Sequence, residues 1–410
     1  MRVASFQFIQ RNLNNISGRT SEANQQLAQM SSGKRVEYAS DDPVSANGIL
    51  NYKQELRKLD QYQNNINLAE NRLRREEWAL GSAENITQQV KEIMLGANNP
   101  AMTQQERDAY GVELQNRIDE LLDLANTQDE FGQYIFGGFQ TDTAPFTRQS
   151  DGSVVYSGDS GQRDMAVGDN VKVGLNHDGE LVFGGVPNPR GDFTVRYDLV
   201  DNDRSDHLRV ERAHIDDKAA FTDAHPYTLS FADGATPGEL EVTITDKDGN
   251  VSAPVVYQPG TPLTVDGVEI TVKGEAAAGD EVTLSSAVSD GTGQDLRDVF
   301  EVLNRAKDWL ASDGHNPTGQ SELIDVLDEL DAMAGHFTRV RADTGNRMQR
   351  LDNQKLTHED MSLTLEKLRG GMEDLDYAKA TGEFSQTMVA LQATQSMFGK
   401  VQNMSLFNYI

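Results

Sequence analysis

The sequence predicts an elongated α+β chain. Both chain ends form a long-helix bundle, made of a coiled-coil-like terminal pair and a helical bundle, and a β-rich domain is inserted between them. Three observations carry that expectation. Apolar residues recur at spacings of three and four at both ends of the chain. The same periodicity continues through long runs inside each end. The middle breaks into short alternating runs between Asp-Gly turns, the signature of hairpins.

Residues 3–31 read as an amphipathic helix with the seam Phe6, Ile9, Leu13, Ile16, Thr20, Ala23, Leu27 and Met30. The far end carries a matching stripe, Phe384, Thr387, Leu391, Thr394, Phe398 and Val401. Two narrow stripes at opposite ends suit a pair of helices packed on one another. In "ASDDPVSANG", Asp42 is placed to cap a helix and Pro43 to open it, because proline has no N–H to satisfy at the first helical position. The helix predicted from there to Ala97 has the core seam Leu59, Tyr62, Ile66, Ala69, Leu73, Leu80, Ala83, Val90 and Met94, interrupted by Glu76 and Thr87. Thr103 and Glu106 make a capping-box pattern ahead of Tyr110, Leu114, Ile118, Leu121, Leu122 and Ala125.

At "YIFGGFQTDTAPF", Tyr134, Phe136 and Phe139 surround Gly137 and Gly138. The stretch is expected to mark the passage from bundle to insertion, the glycines turning the backbone and the aromatics plugging the bundle end. Residues 142–288 then read as β-rich, as one module or as two joined near 212–225. Helical periodicity returns at Leu296, Val299, Phe300, Leu303, Ala306 and Leu310, and a last long helix is expected from near Ser321. Gly370, Gly371 and Gly382 place a bend or boundary in it. The division expected is 1–42, 43–141, 142–288, 289–382 and 383–410.

Charge narrows the functions. The chain carries −28, with 65 acidic against 37 basic residues, which disfavours nucleic acid and anionic lipid as partners. Mean hydropathy is −0.57, and no apolar run approaches the ~18 residues that span a membrane. No cleavable signal peptide is visible at the start. The absence of cysteine excludes disulfides and thiolate chemistry. The charge avoids the ends: residues 1–42 hold five basic and four acidic side chains, and 385–410 hold only Lys400. Nearly neutral ends suit packing among like copies. The segment "SLFNYI" places Leu406, Phe407, Tyr409 and Ile410 together, and reads either as docked in its own domain or as an assembly contact.

No catalytic constellation is present, so no enzyme and no cofactor is expected. The seven histidines form no HExxH or His-x-Glu arrangement. His207 and His214, near acidic residues, are the least poor metal candidates and read better as solvated loop positions. "DKDGN" at 246–250 begins like a calcium loop, but its glycine comes early and no Glu follows at the twelfth position, so it reads as a hairpin turn. "RGD" at 190–192 reads as a turn.

Assembled in order, these stretches resemble the flagellin superfamily. "LAQMSSGKRVEYASDDPVSANG", "RADTGNRMQRLDNQ" and "MEDLDYAKA" are similar to the segments that link its terminal and long helices. "YIFGGFQTDTAPF", "VYSGDSGQR" and "SLFNYI" resemble its hook–filament junction branch. The resemblance implies a secreted, extracellular structural protein of the bacterial flagellum, exported by the flagellar type III route with the help of an export chaperone. It implies self-assembly into a ring between hook-associated protein 1 and flagellin, seeding the filament. A flagellin subunit and, further off, an extracellular adhesin are the alternatives. On this reading the assembly interface comprises Phe6, Ile9, Leu13, Ile16, Leu27, Met30, Leu391, Phe398, Val401, Leu406, Phe407, Tyr409 and Ile410.

Overall fold

A computed structural model describes residues 2–406 except 223, 287–294 and 313, leaving aside the side chains of 2–6, 8 and 401–406. Three helices lead: α1 (Arg2–Ser32), α2 (Pro43–Ala97) and α3 (Gln104–Ala125). Their starts are set by local chemistry. Asp42 accepts the amide of Ser45 at 3.1 Å, so α2 begins at Pro43. Thr103 and Glu106 cap α3 reciprocally, each side chain accepting the other's amide.

The strands follow. They are β1 (Phe146–Arg148), β2 (Val154–Tyr156), β3 (Asp164–Ala166), β4 (Lys172–Gly174), β5 (Val186–Pro187), β6 (Thr194–Asp198), β7 (Arg209–Ile215), β8 (Tyr227–Asp233), β9 (Leu240–Thr245), β10 (Val255–Val256), β11 (Pro262–Val265), β12 (Val268–Lys273), β13 (Glu281–Ser285) and β14 (Leu296–Arg297). A single π-helical turn, Glu180–Gly184, precedes β5. Three helices close the chain: α4 (Val299–Ala311), α5 (Pro317–Glu373) and α6 (Tyr377–Leu406).

Two units divide the chain, Met1–Ile66 with Asp352–Ile410, and Asn67–Leu351; α2 and α5 contribute to both. The larger unit holds two apolar cores. One is helical: Leu80, Val90 and Met94 of α2, Leu114, Ile118 and Leu121 of α3, Leu303 of α4, and Leu330 and Phe337 of α5. Phe136, Phe146 of β1 and Phe183 of the π-helical turn join it from the chain between α3 and β5. The other core lies between a five-stranded sheet, β10-β9-β8-β13-β6, and a three-stranded sheet, β11-β12-β7. Alternate residues fill it, as Tyr227, Leu229 and Phe231 on β8 face Val268, Ile270 and Val272 on β12 within one cluster.

Four expectations need correction. No break between modules falls at 212–225: β7 runs through this stretch to Ile215 and pairs with β12, and one core spans both sides. The change of core falls instead between Val186 and Phe193. Leu296 is not helical. It pairs with Pro187, and α4 starts only after Asp298, whose carboxylate accepts the amides of Phe300 and Glu301. Helix α5 starts at Pro317 rather than near Ser321, because Asn316 caps it by accepting the amide of Gly319 at 2.7 Å. The break between the last two helices falls at 374–376, and Gly382 lies inside α6. Asp376 sets that restart by accepting the amide of Lys379 at 3.1 Å.

Ile66 is 1% exposed in the smaller unit, a turn from the place where Tyr62 stacks on His358 at 5.6 Å. Ile66→Ala is expected to destabilise the folded chain by about 2–5 kcal/mol, the usual range for emptying a packed site. A thermal scan superimposing on that of the unmutated chain would show that the site is not packed.

Candidate assembly interface

In the smaller unit, α1 and α6 pack along one another. The links that lead into and out of this pair clasp each other. Gly33, at φ +73°, ends α1 in the left-handed conformation that glycine adopts without strain. The amide of Arg35 then donates to Glu373 O at 2.8 Å, and that of Leu375 to Gly33 O at 2.9 Å. Tyr377 Oη adds a bond to Met30 O at 3.0 Å. Asp41 holds the turn by accepting the amides of Glu37 and Tyr38 at 3.1 and 3.0 Å. Ser45 Oγ and Arg35 also bond Asp42, and with the Ser45 amide these hold its carboxyl down at about 2.

Glu373 is the ionic centre of the clasp. Its side chain is buried, with Lys34 Nζ at 2.8 Å and Lys53 Nζ at 2.9 Å. Burial alone would raise its pKa, but the two ammonium groups outweigh burial and hold it below the ordinary 4.5. The sign follows: the stabilisation is fully present above the unfolded value and disappears as pH falls through the lower folded one. Glu373→Gln is expected to weaken the clasp by about 1–2 kcal/mol at neutral pH, modest because both lysines are partly exposed. Amide exchange at residues 34–36 reads this out. Protection should fall in the variant at pH 7, and it should fall less on acidification than in the unmutated chain. Equal protection at pH 7 would remove Glu373 from this role.

The residues read from sequence as assembly contacts separate into groups. Leu391 is buried between α1 and α6, as are Ala23 and Thr387. Ile16, Met30 and Phe398 are half-buried. Ile9, Leu13 and Leu27 are exposed, Leu13 by 50% and Leu27 by 55%. Phe6 lies on α1, and Val401 and Leu406 on α6. Phe407, Tyr409 and Ile410 lie outside the described residues. Sequence reading missed Met388, Val389 and Met397, which are also exposed on α6. They lie off the narrow seam, and only their number signals a second apolar face.

The bundle residues Leu59, Ile66, Leu73, Leu80, Leu114, Ile118 and Leu121 are all buried. At the junction stretch, Phe136 is fully buried and Tyr134 half-buried. Phe139 does not plug the bundle end; it is 65% exposed. Gly138, at φ +68°, turns the chain so that Phe139 lies on Gly161 instead. A Cβ at Gly138 would collide with the Asp159 carbonyl, and one at Gly137 with the Gln140 carbonyl.

Among the described residues both continuous apolar cores belong to the larger unit, and the smaller one buries scattered apolar side chains such as Val36, Ile49 and Leu56. Yet more than half of the large apolar side chains exposed among the described residues lie in the smaller unit. Surface of that kind is the mark of an interaction site.

The other candidates resolve into structure. His207 and His214 are half-buried beside and within β7 rather than solvated in a loop, and no group of three His, Asp or Glu that could hold a metal ion occurs among the described residues. His177 is buried, with Nδ1 2.9 Å from Glu76 and Nε2 2.9 Å from Asp343. Burial lowers its pKa, but these carboxylates outweigh burial and hold it above 6.5. This explains Glu76, the charged interruption of the apolar seam. Arg190 of the "RGD" turn is buried against Asp325 and Asp328 of α5. Asp246 closes its own turn by accepting the amides of Asp248 and Asn250 at 2.9 and 2.8 Å. Among the described residues no helix is long and apolar enough to cross a membrane.

Residues 5–141 match the bacterial flagellin N-terminal helical region and residues 327–410 the bacterial flagellin C-terminal helical region. The chain is 31% identical over 183 residues to flagellar hook-associated protein 3 of Escherichia coli K12, covering 45% of this chain and 57% of that one. It is 29% identical over 196 residues to the protein of the same name from Salmonella typhimurium, covering 47% and 61%. The chain thus spans less than two thirds of the length of these curated relatives. The crystal structure of flagellar hook-associated protein 3 from Legionella pneumophila is similar at 30% identity and a TM-score of 0.64, over 78% of this chain and 99% of that one. With flagellin regions matched at both ends and that solved structure covered almost completely, the chain belongs to the flagellar hook-associated protein 3 family of the flagellin superfamily.

Proposed function

We propose that this chain joins the flagellar hook to the filament. It leaves the cell by the flagellar export route, accompanied before export by a chaperone, and assembles into a ring of like subunits. The ring lies between hook-associated protein 1 and flagellin and seeds flagellin assembly. It acts as a structural protein, without chemistry of its own. The observation that carries the reading is the smaller unit: paired helices, a clasp between their links, exposed apolar stripes and, among the described residues, no continuous core. Such a surface suits burial by neighbours. Residues 1–42 and 383–410 serve as assembly segments, 43–141 and 289–382 as the bundle, and 142–288 as the insertion.

The matched relatives favour the junction reading over a filament subunit. The adhesin reading loses its one motif, since Arg190 is buried. A deletion strain tests the proposal. Electron microscopy should show hooks without filaments, with unpolymerised flagellin shed into the medium. Normal filaments would overturn the reading, and loss of the flagellin antigen itself would make the chain a filament subunit.

A further inference from the structure

The clasp encloses more than hydrogen bonds. Beside it lies a cavity of about 400 Å³ whose lining includes Val36, Tyr38, Ala46, Ile49, Leu50 and Lys53. It falls within the ~300–1,000 Å³ range of ligand pockets. Ile49 and Val36 are buried, whereas Leu50 and Tyr38 are 61% and 65% exposed. The charges that line the cavity sum to zero, Lys34 and Lys53 against Glu37 and Glu373, and both lysines bond Glu373. An anionic ligand would meet lysines already held by Glu373, whereas an uncharged apolar segment would find an apolar wall in Val36, Ile49 and Leu50.

We infer that the cavity receives residues 405–410 of a second copy of this chain. The step rests on the assembly reading above and names one contact within it. The segment Ser405–Ile410 supplies Leu406, Phe407, Tyr409 and Ile410 and has no charged side chain. A chain's own tail cannot reach its own cavity. The start of α6 lies at the clasp, where Leu375 bonds Gly33 and Tyr377 bonds Met30. Its 30 residues then carry the chain away by ~45 Å at ~1.5 Å per residue. The four residues after Leu406 can return at most ~14 Å. A second copy has no such limit. Tail and cavity are also two surfaces of a −28 chain that can meet without adding like charge to like charge.

Photo-crosslinking in the full chain tests this. Benzoylphenylalanine replaces Tyr38 in unlabelled chain, which is mixed with ¹⁵N-labelled chain and irradiated at concentrations up to the solubility limit. Crosslinks should join the unlabelled probe to labelled residues 401–410. Leu50→Glu should reduce them roughly tenfold or more, the effect of ~1.4 kcal/mol on an equilibrium. Because Leu50 is exposed, the variant should melt normally. A shifted melting curve is met by Leu50→Gln, which should give the same loss. Crosslinks within one copy, to another segment or to none, or crosslinks indifferent to both variants, overturn the inference. The deletion strain reads the junction role separately. Shed flagellin with no tail crosslink would leave that role standing and remove this contact.

Discussion

Phe183→Ala is expected to lower the stability of the larger unit by about 3–5 kcal/mol. Phe183 is 1% exposed on the π-helical turn and lies at the centre of an aromatic group. Its ring centroid is 5.1 Å from that of Phe146, 5.4 Å from Phe136, 5.9 Å from Phe337 and 6.0 Å from Phe300. Three of those contacts are edge-on, the geometry that adds to simple burial. Alanine would remove the ring from all four at once. Its partners come from an irregular segment, a strand, α4 and α5, and no single shift of one element can close the resulting void. Trp309, buried in the same core with Nε1 donating to Gly319 O at 2.7 Å, should report the loss. An unfolding free energy from denaturant titration of Trp309 fluorescence unchanged to within ~0.5 kcal/mol would mean that the ring is not the keystone of this core.

Leu13→Asp together with Leu27→Asp is expected to abolish incorporation into the flagellum while leaving the isolated chain's melting almost unchanged. Both side chains are about half exposed on α1, so the folded chain has little to lose. Assembly has much more to lose. Burying a leucine against a neighbour contributes about 1.5–3 kcal/mol, and a carboxylate at the same place adds an unpaired charge. Two such sites cost about 3–6 kcal/mol before the charges are counted, upwards of roughly a hundredfold in association. Cells complemented with the double variant should shed flagellin, and the secreted variant should melt like the parent. Normal filaments in those cells would remove this face of α1 from the assembly surface. Ala23→Asp serves as the contrast, since Ala23 is buried and its replacement should also disturb the α1–α6 pair.

Sequence alone was sufficient where structure is decided by neighbours a few residues apart. Asp42-Pro43 and Thr103…Glu106 set the starts of α2 and α3, because a cap satisfies amides within three residues of itself. The apolar period placed Ile66, Leu73, Leu80, Leu114, Ile118 and Leu121 on faces that the structure buries. The Asp-Gly turns at 151–152, 233–234 and 266–267 announced hairpins, whereas Asp178-Gly179, read the same way, leads into the π-helical turn. Even the exposed stripe of α1 was visible, since a narrow seam cannot cover itself.

Tertiary structure decided what depends on residues far apart in the chain. The pairing of β7 with β12 joins residues more than fifty positions apart, and alternation says only that a strand has two faces, not which strand it will meet. Glu76 looked like a flaw in a helix seam until His177 bonded it, and Arg190 looked like a surface motif until Asp325 took it inward. Burial makes both charges costly alone and tolerable only as pairs, and such partners are found by folding rather than by spacing. The clasp follows the same rule: Lys34 and Lys53 meet on Glu373, more than three hundred residues on, because a nested chain brings its two links together.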